Sequence, residues 1–354
     1  MTRAVAAQQG KLTLALGDVY AADVKAPLCE QLSRLLPSRG ARVMLGLSGA
    51  DAITAALKSA LLATGKPGVV AFRGGYHGLS YAPLAACGLD PAFRLPFESQ
   101  LGKYVSFAPY PTEDAELDRS MDVVRGLMRL GTCGAVLVEP ILGRGGCVAP
   151  PRNFLSSLRT ACDEAGALLV VDEIWTGLGR SGAWLASLEQ KVVPDIVCLG
   201  KALGGGLPIS ACIGSSEVMN AWAAHGGGAI HTATHFASPL GCAAALATLH
   251  ELRVRRLPAR ARSVGDRWRR RLVEQLSDRG VRSVTGRGLM VGIHLEGGAG
   301  RALVVTRRLL SRGYIVLTGG ISGDVLTLTP ALDIAEERLT AFVGALSDVL
   351  RQDA

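Results

Sequence analysis

Two residues, Asp172 and Lys201, stand where a chain folded as alternating strands and helices could use them for chemistry. An apolar run from Leu168 ends in Asp172-Glu173, and a second, Ile196–Leu199, ends in Gly200-Lys201 and is followed by Gly204-Gly205-Gly206. If both runs are strands of one parallel sheet, their carboxyl ends open on the same edge, where such sheets bind ligands. A lysine desolvated among apolar strands and glycines has a lowered pKa, and its free amine attacks aldehydes. A carboxylate opposite it can pair with a protonated ring nitrogen. Together these are the Schiff-base lysine and the pyridinium partner that pyridoxal 5'-phosphate (PLP) requires. Singly, Asp172 would serve equally as a helix cap and Lys201 as a surface residue after a strand.

Two upstream segments complete the set. Ser48-Gly49-Ala50-Asp51 follows a strand-like run and opens a helix, so the amides and dipole of that helix start could hold a phosphate. Gly74-Gly75-Tyr76-His77-Gly78 follows another strand and offers a ring on a glycine-flexed loop, suited to stacking on a planar cofactor. An ordinary capped helix and a core tyrosine are the alternatives for these two segments taken alone.

The elements that must position these residues are legible as a pattern. Strand-like runs at 43–47, 68–72, 135–139, 167–172, 196–199 and 209–214 alternate with helical patterns at 50–63, 115–130, 154–165, 238–254 and 263–278. Such alternation predicts a mostly parallel sheet with crossover helices. After residue 280 the pattern turns to short strands at 288–295, 314–317 and 325–328 and a closing helix at 335–351, which predicts a smaller α+β unit. The expected division is an N-terminal segment at 1–40, a large domain at 41–252 and a small domain at 253–354, consistent with roughly 150 residues per domain. The run Gly226-Gly227-Gly228 reads as a loop.

Composition narrows the function classes. With 49% hydrophobic and 19% charged residues the chain is globular and neither disordered nor fibrous. No apolar stretch is long enough to span a membrane, and the N-terminus lacks the apolar region of a signal peptide, so a cytoplasmic protein without membrane contact is expected. The eight cysteines form no C-x-x-C pair and read as small buried hydrophobes, so no metal is expected. The net charge of +8 owes much to nine arginines between Arg253 and Arg271, spread around a helix whose apolar stripe is Leu252, Val264, Trp268 and Leu272. A solvated face is the expected reading there, and no nucleic-acid partner. A dinucleotide site at Gly177-x-Gly179-x-x-Gly182 is disfavoured because Glu173 to Thr176 separate it from the strand.

The ordered motifs SGADA, FRGGYHG, VEPILGRGG, VDEIWTGLGRSG, PDIVCLGKALGGGLP and THFASP resemble the class III PLP-dependent aminotransferases, the family of ornithine, 4-aminobutyrate and omega-amino-acid transaminases. The resemblance runs from about Gly17 to the C-terminus. It implies the PLP-dependent transferase fold type I, an α/β architecture with a large domain built on a mostly parallel, seven-stranded-type sheet and a smaller α+β C-terminal domain. It also implies ping-pong transfer of an amino group from an amine or amino-acid donor to a carbonyl acceptor. Carried over, Lys201 is the Schiff-base lysine and proton shuttle, and Asp172 keeps the pyridinium protonated. Gly49 and Ala50 bind the phosphate, Tyr76 and Ile174 pack on the two ring faces, and His77 and Glu139 lie near the cofactor. Thr234 matches the threonine that reaches the neighbouring subunit's phosphate, which implies a homodimer with shared active sites. A decarboxylase, epimerase or aminomutase would use the same Lys201 and Asp172, because the pocket selects which bond breaks.

Three positions depart from the family pattern. Thr327, three residues before Pro330, stands where many members have the arginine that grips a substrate α-carboxylate. Leu142 stands where glutamine is frequent, and Trp175 follows the stacking position. These predict a more apolar substrate pocket, suited to an amine or amino-carbonyl held by apolar contact. Family members also carry several tens more residues before the point that Gly17-Asp18-Val19-Tyr20 matches.

Overall fold

Runs of valine, isoleucine, leucine and cysteine with no polar alternation form strands only where both faces of a sheet are covered. Seven strands form one sheet, the inner ones of this kind: β1 (Arg42–Gly46), β2 (Gly68–Phe72), β3 (Val105–Ala108), β4 (Cys133–Val138), β5 (Leu168–Asp172), β6 (Ile196–Leu199) and β7 (Ser210–Gly214), in the order β1-β7-β6-β5-β4-β2-β3. The pairs β3–β2, β2–β4, β4–β5 and β5–β6 are parallel; β7 runs antiparallel to β6 and β1. The computed structural model describes residues 1–354 except 18, 225–228 and 353–354; the Gly226-Gly227-Gly228 run expected as a loop lies outside the described residues.

Helices cover the sheet: α1 (Thr2–Gln9), α2 (Lys25–Ser33), α3 (Gly49–Thr64), α4 (Tyr81–Ala85), α5 (Leu117–Met128), α6 (Phe154–Ala165), α7 (Ala186–Glu189), α8 (Ser216–Asn220) and α9 (Pro239–Val254). Helix α3 is central to the site. It is started by Ser48, whose hydroxyl accepts from the Asp51 amide while Asp51 accepts from the Ser48 amide, and it stops at Gly65, which takes the left-handed φ of +67° that a helix C-terminus favours. Its buried face, with Ile53, Ala56 and Leu57, packs on the sheet beside Leu137, Val170 and Cys198.

A second, antiparallel sheet comprises β8 (Val281–Arg287), β9 (Met290–Leu295), β10 (Leu317–Gly319) and β11 (Val325–Leu328), in the order β10-β11-β9-β8. Helices α10 (Leu257–Leu276), α11 (Gly298–Ser311) and α12 (Glu336–Arg351) close over it, with Trp268, Leu272, Ile293, Val305 and Phe342 in one buried cluster. Helix α10 starts at Leu257, six residues before the sequence pattern predicts, because Pro258 occupies its first turn, where no amide partner is needed.

The two sheets are joined through the loop after β5. Arg180 donates to the carbonyls of Leu289 (2.9 Å) and Pro330 (2.6 Å), and burial lowers its guanidinium pKa to about 10. Gly179 and Gly182 adopt φ of +93° and abut Pro258 and Arg262, so the glycines that resemble a dinucleotide fingerprint serve this junction. The arginines of α9 and α10 are largely spent on structure: Arg255 pairs with Asp333, Arg262 with Glu189, Arg267 with Glu336 and Arg269 with Asp266, while Arg260 caps the carbonyls of Leu332 and Ile334. The solvated-face reading fits these pairings.

Candidate active site

The parallel pairing of β5 with β6 sets Asp172 opposite Cys198, so the chain leaving β6 delivers Gly200 and Lys201 to the edge where Asp172 ends its strand. Lys201 has a φ of +42°, a left-handed backbone that a non-glycine residue adopts at a cost and that recurs at functional sites. Its Nζ lies 4.3 Å from the centroid of the Trp175 ring. Although the residue is open to solvent, the protein around it desolvates the amine and lowers its pKa. The carboxylates of Asp172 and Glu139 oppose that shift and the charge of Arg144 adds to it. The Trp175 ring fits there because residue 143 is glycine; a Cβ at 143 would collide with it.

Asp172 is buried and held at both oxygens. Its Oδ2 is 2.8 Å from His77 Nδ1, and its Oδ1 accepts from the Ile174 amide at 3.0 Å. A carboxylate has further lone pairs, so a cationic N–H donor can still be accepted. His77 is buried, and its Nε2 has no hydrogen-bond partner among the described residues.

Glu139 follows β4 and turns back into the same edge. Its Oε1 accepts from the Tyr76 amide at 2.7 Å and its Oε2 from the Gly143 amide at 2.9 Å, so it ties the Tyr76-His77 loop to the hairpin at 142–148. Desolvation pushes its pKa up to about 7, Asp172 reinforces the rise, and His77 opposes it.

The start of α3 supplies an anion site. Ser48 and Asp51 satisfy each other, whereas the Gly49 and Ala50 amides, at the first two helical positions, have no intrahelical acceptor. Gly49 is packed so closely on Ile174 that an added Cβ would lie 2.9 Å from Ile174 Cδ1, and Gly78, at φ +115°, lets the His77 loop approach Ala50. Gly49, Ala50, Ile174, His77, Asp172 and Lys201 therefore belong to one constellation.

Tyr76 is half-buried, edge-on to Phe93 at 6.4 Å, with the Arg144 guanidinium carbon 4.7 Å from its ring centroid. Thr234 lies in an exposed turn before α9. Thr327 is buried on β11 beside Gly319, and its hydroxyl has no partner among the described residues. Sequence reasoning missed Arg144; an arginine within the glycine turn five residues after Glu139 is the signal that would have marked it.

The family signature of the class-III aminotransferases matches residues 1–350. The chain belongs to this family. It is therefore an enzyme of amino-group transfer. This aminotransferase is 36% identical to the acetylornithine aminotransferase of Methanopyrus kandleri, over 94% of this chain and 81% of that protein. It is 31% identical to the 5-aminovalerate aminotransferase of Pseudomonas aeruginosa, over 98% and 83%. Among solved structures, an amine transaminase from an uncultivated Pseudomonas species in its PLP-bound form superposes with a TM-score of 0.90 at 27% identity, covering 99% of this chain and 86% of that one. The ornithine aminotransferase of Toxoplasma gondii superposes with 0.89 at 26% identity, covering 99% and 82%. The α/β fold, with its seven-stranded, mostly parallel sheet and separate small antiparallel sheet, is the transaminase fold that the sequence motifs imply.

Proposed function

We propose that this aminotransferase binds PLP at the edge formed by β4, β5 and β6 and moves an amino group from an amino-acid donor to a carbonyl acceptor in two half-reactions. The observation that carries this reading is the convergence of Lys201, of the buried Asp172–His77 pair and of the Gly49 and Ala50 amides, which have no intrahelical acceptor. These residues fit the cofactor. The amides at the α3 start would hold its phosphate, Asp172 its ring nitrogen, and Tyr76 and Ile174 its two faces, with His77 and Glu139 beside it. When bound, PLP supplies the electron sink that lets a C–H bond next to nitrogen give up its proton.

The protein's own residues supply the rest. Lys201, its amine deprotonated more readily than an ordinary lysine, takes a proton at Nζ from the substrate carbon and returns it at the other reacting carbon. Asp172 is held in orientation by His77 and the Ile174 amide, which engage both of its oxygens. Trp175 shields the amine from bulk water on one side. The named relatives act on acetylornithine and 5-aminovalerate, which supports an amino-carboxylate as the donor class.

Thr234, exposed in its own chain, is assigned to the partner's phosphate in a homodimer with shared sites, and the division at about residues 40 and 252 is retained as the domain plan. A cytoplasmic setting is supported by eight free cysteines and by the lack, among the described residues, of any helix long and apolar enough to cross a membrane. The test is the visible absorbance spectrum of the purified protein with PLP, before and after glutamate, alanine, ornithine and 4-aminobutyrate are added. A yellow band bleached by at least one donor is expected. A protein that takes up no cofactor contradicts the proposal.

A further inference from the structure

The hairpin at 142–148 carries one side chain without an assigned task. Arg144 sits at its tip, exposed, with its guanidinium carbon 4.7 Å from the Tyr76 centroid and 5.9 Å from that of Phe93. Ring faces accept none of the five guanidinium N–H donors in the ordinary sense, and among the described residues no carboxylate lies within ion-pair distance of them. The backbone beneath is fixed. Leu142 and Val148 form a two-way antiparallel bridge, the Gly143 amide is held by Glu139, the Arg144 carbonyl accepts from Gly320 at 2.8 Å, and the Gly146 carbonyl accepts from Thr285 at 2.9 Å. A cation is thus held, without a counter-ion, on a tightly anchored turn.

Its location is informative. Gly319 lies between this turn and β11: a Cβ there would collide with Thr327 Oγ1 and lie 3.3 Å from the Arg144 carbonyl. Thr327 and the Arg144 backbone therefore both border Gly319, while the Arg144 guanidinium lies over Tyr76 and Phe93. The charge also reaches Lys201, where it adds to the lowering of the amine's pKa that desolvation causes. One uncompensated guanidinium on this turn, lying over Tyr76, selects an anionic group, and a planar carboxylate matches its fork of donors.

We propose that Arg144 is the substrate-anion anchor of this enzyme, binding a carboxylate of the amino donor and of the oxo acid made from it, in place of an arginine at position 327. The inference rests on the site at Lys201 being where amino transfer occurs, and makes amino acids, not simple amines, the preferred donors.

The experiment compares the wild-type holoenzyme with Arg144→Gln and Arg144→Lys. Calorimetric titration with glutarate, a dicarboxylate without an amine, reads anion binding directly. Steady-state kinetics with 4-aminobutyrate and with butylamine separate a carboxylate-bearing donor from one that lacks it. Arg144→Gln is expected to weaken glutarate binding and to raise the KM for 4-aminobutyrate, each by roughly 10- to 100-fold, with a clearly smaller loss for butylamine, which senses only the altered charge near Lys201. Arg144→Lys should fall between, since it keeps the charge without the fork. Unchanged glutarate affinity in Arg144→Gln, or an equal loss with both donors, overturns the proposal, as does a wild type that binds no glutarate. The exposed position makes misfolding simple to detect, by the urea midpoint of each variant. Should the protein take up no PLP, the proposed function fails, while glutarate titration of the unloaded protein still tests Arg144.

Discussion

His77 Nδ1 lies 2.8 Å from Asp172 Oδ2, with both side chains buried beneath the carboxyl edge of the sheet. The contact links the loop after β2 to the end of β5, and it fixes which way the carboxylate faces. A buried charge held by a directed hydrogen bond is pre-organised, so it need not reorient when a cationic ring nitrogen arrives. Asp172→Asn keeps the shape and removes the charge. Its kcat is expected to fall by about two to three orders of magnitude, the equivalent of losing one buried charge pair. His77→Gln, which acts through Asp172, should cost roughly tenfold and shift the pH profile of kcat. Stopped-flow half-reactions with a single donor check both; equal effects of the two changes would contradict the assignment of His77 as a positioning residue.

Glu139 makes stability depend on pH. Its folded pKa of about 7 is above the ordinary carboxylate value, so between about pH 4.5 and 7 the folded state binds more protons than the unfolded chain. The stability that this proton contributes is fully present below pH 4.5 and is lost as pH rises through 7. The expected decline is on the order of 3 kcal/mol. Urea midpoints of the cofactor-free protein at pH 5, 6, 7 and 8 measure it. Glu139→Gln should lack the slope, whatever its absolute stability, because it cannot titrate.

Gly143→Ala places a methyl group where Trp175 packs, and the ring against Lys201 has to shift. Overpacking of this kind costs about 1–3 kcal/mol. Tryptophan fluorescence and the urea midpoint should both change. A variant with wild-type stability and an unaltered spectrum would contradict the packing described.

Arg180→Met removes the donors that join the two sheets and leaves the carbonyls of Leu289 and Pro330 without them. Two hydrogen bonds from a charged group are together worth about 3–6 kcal/mol, offset in part by no longer burying the guanidinium. A net loss of about 2 kcal/mol is expected in chemical denaturation. Protease cleavage should begin near residues 255–258, where α9 passes into α10.

Much of this was legible in the chain because a strand buried on both faces needs an unbroken apolar run, and the residues that end such runs are necessarily at the sheet edge. Asp172 and Lys201 are legible that way and Gly49-Ala50 through the helix start they open, whereas Glu139 is marked only by the family resemblance. Other elements gave no comparable signal. Strand β3 is four residues long at the sheet edge, and β8 is an edge strand with an irregular register whose Arg282 and Ser283 face solvent, so neither shows a clear apolar period. Helix α11 begins in Gly298-Ala299-Gly300, residues that argue locally against a helix, and is held by packing Ala302, Val305 and Leu309 on the small sheet. The apolar pocket expected from Leu142, Trp175 and Thr327 omitted Arg144, because only the fold brings the hairpin tip over Tyr76.

The central claim is that Lys201 is the residue that joins the cofactor. Treating the PLP-loaded protein with borohydride fixes the cofactor to the amine that holds it, and peptide mass spectrometry then locates the phosphopyridoxyl group. The structure predicts that group on Lys201, with none in Lys201→Ala. The label on another lysine of the wild type, or its persistence in Lys201→Ala at the wild-type level, would contradict the account.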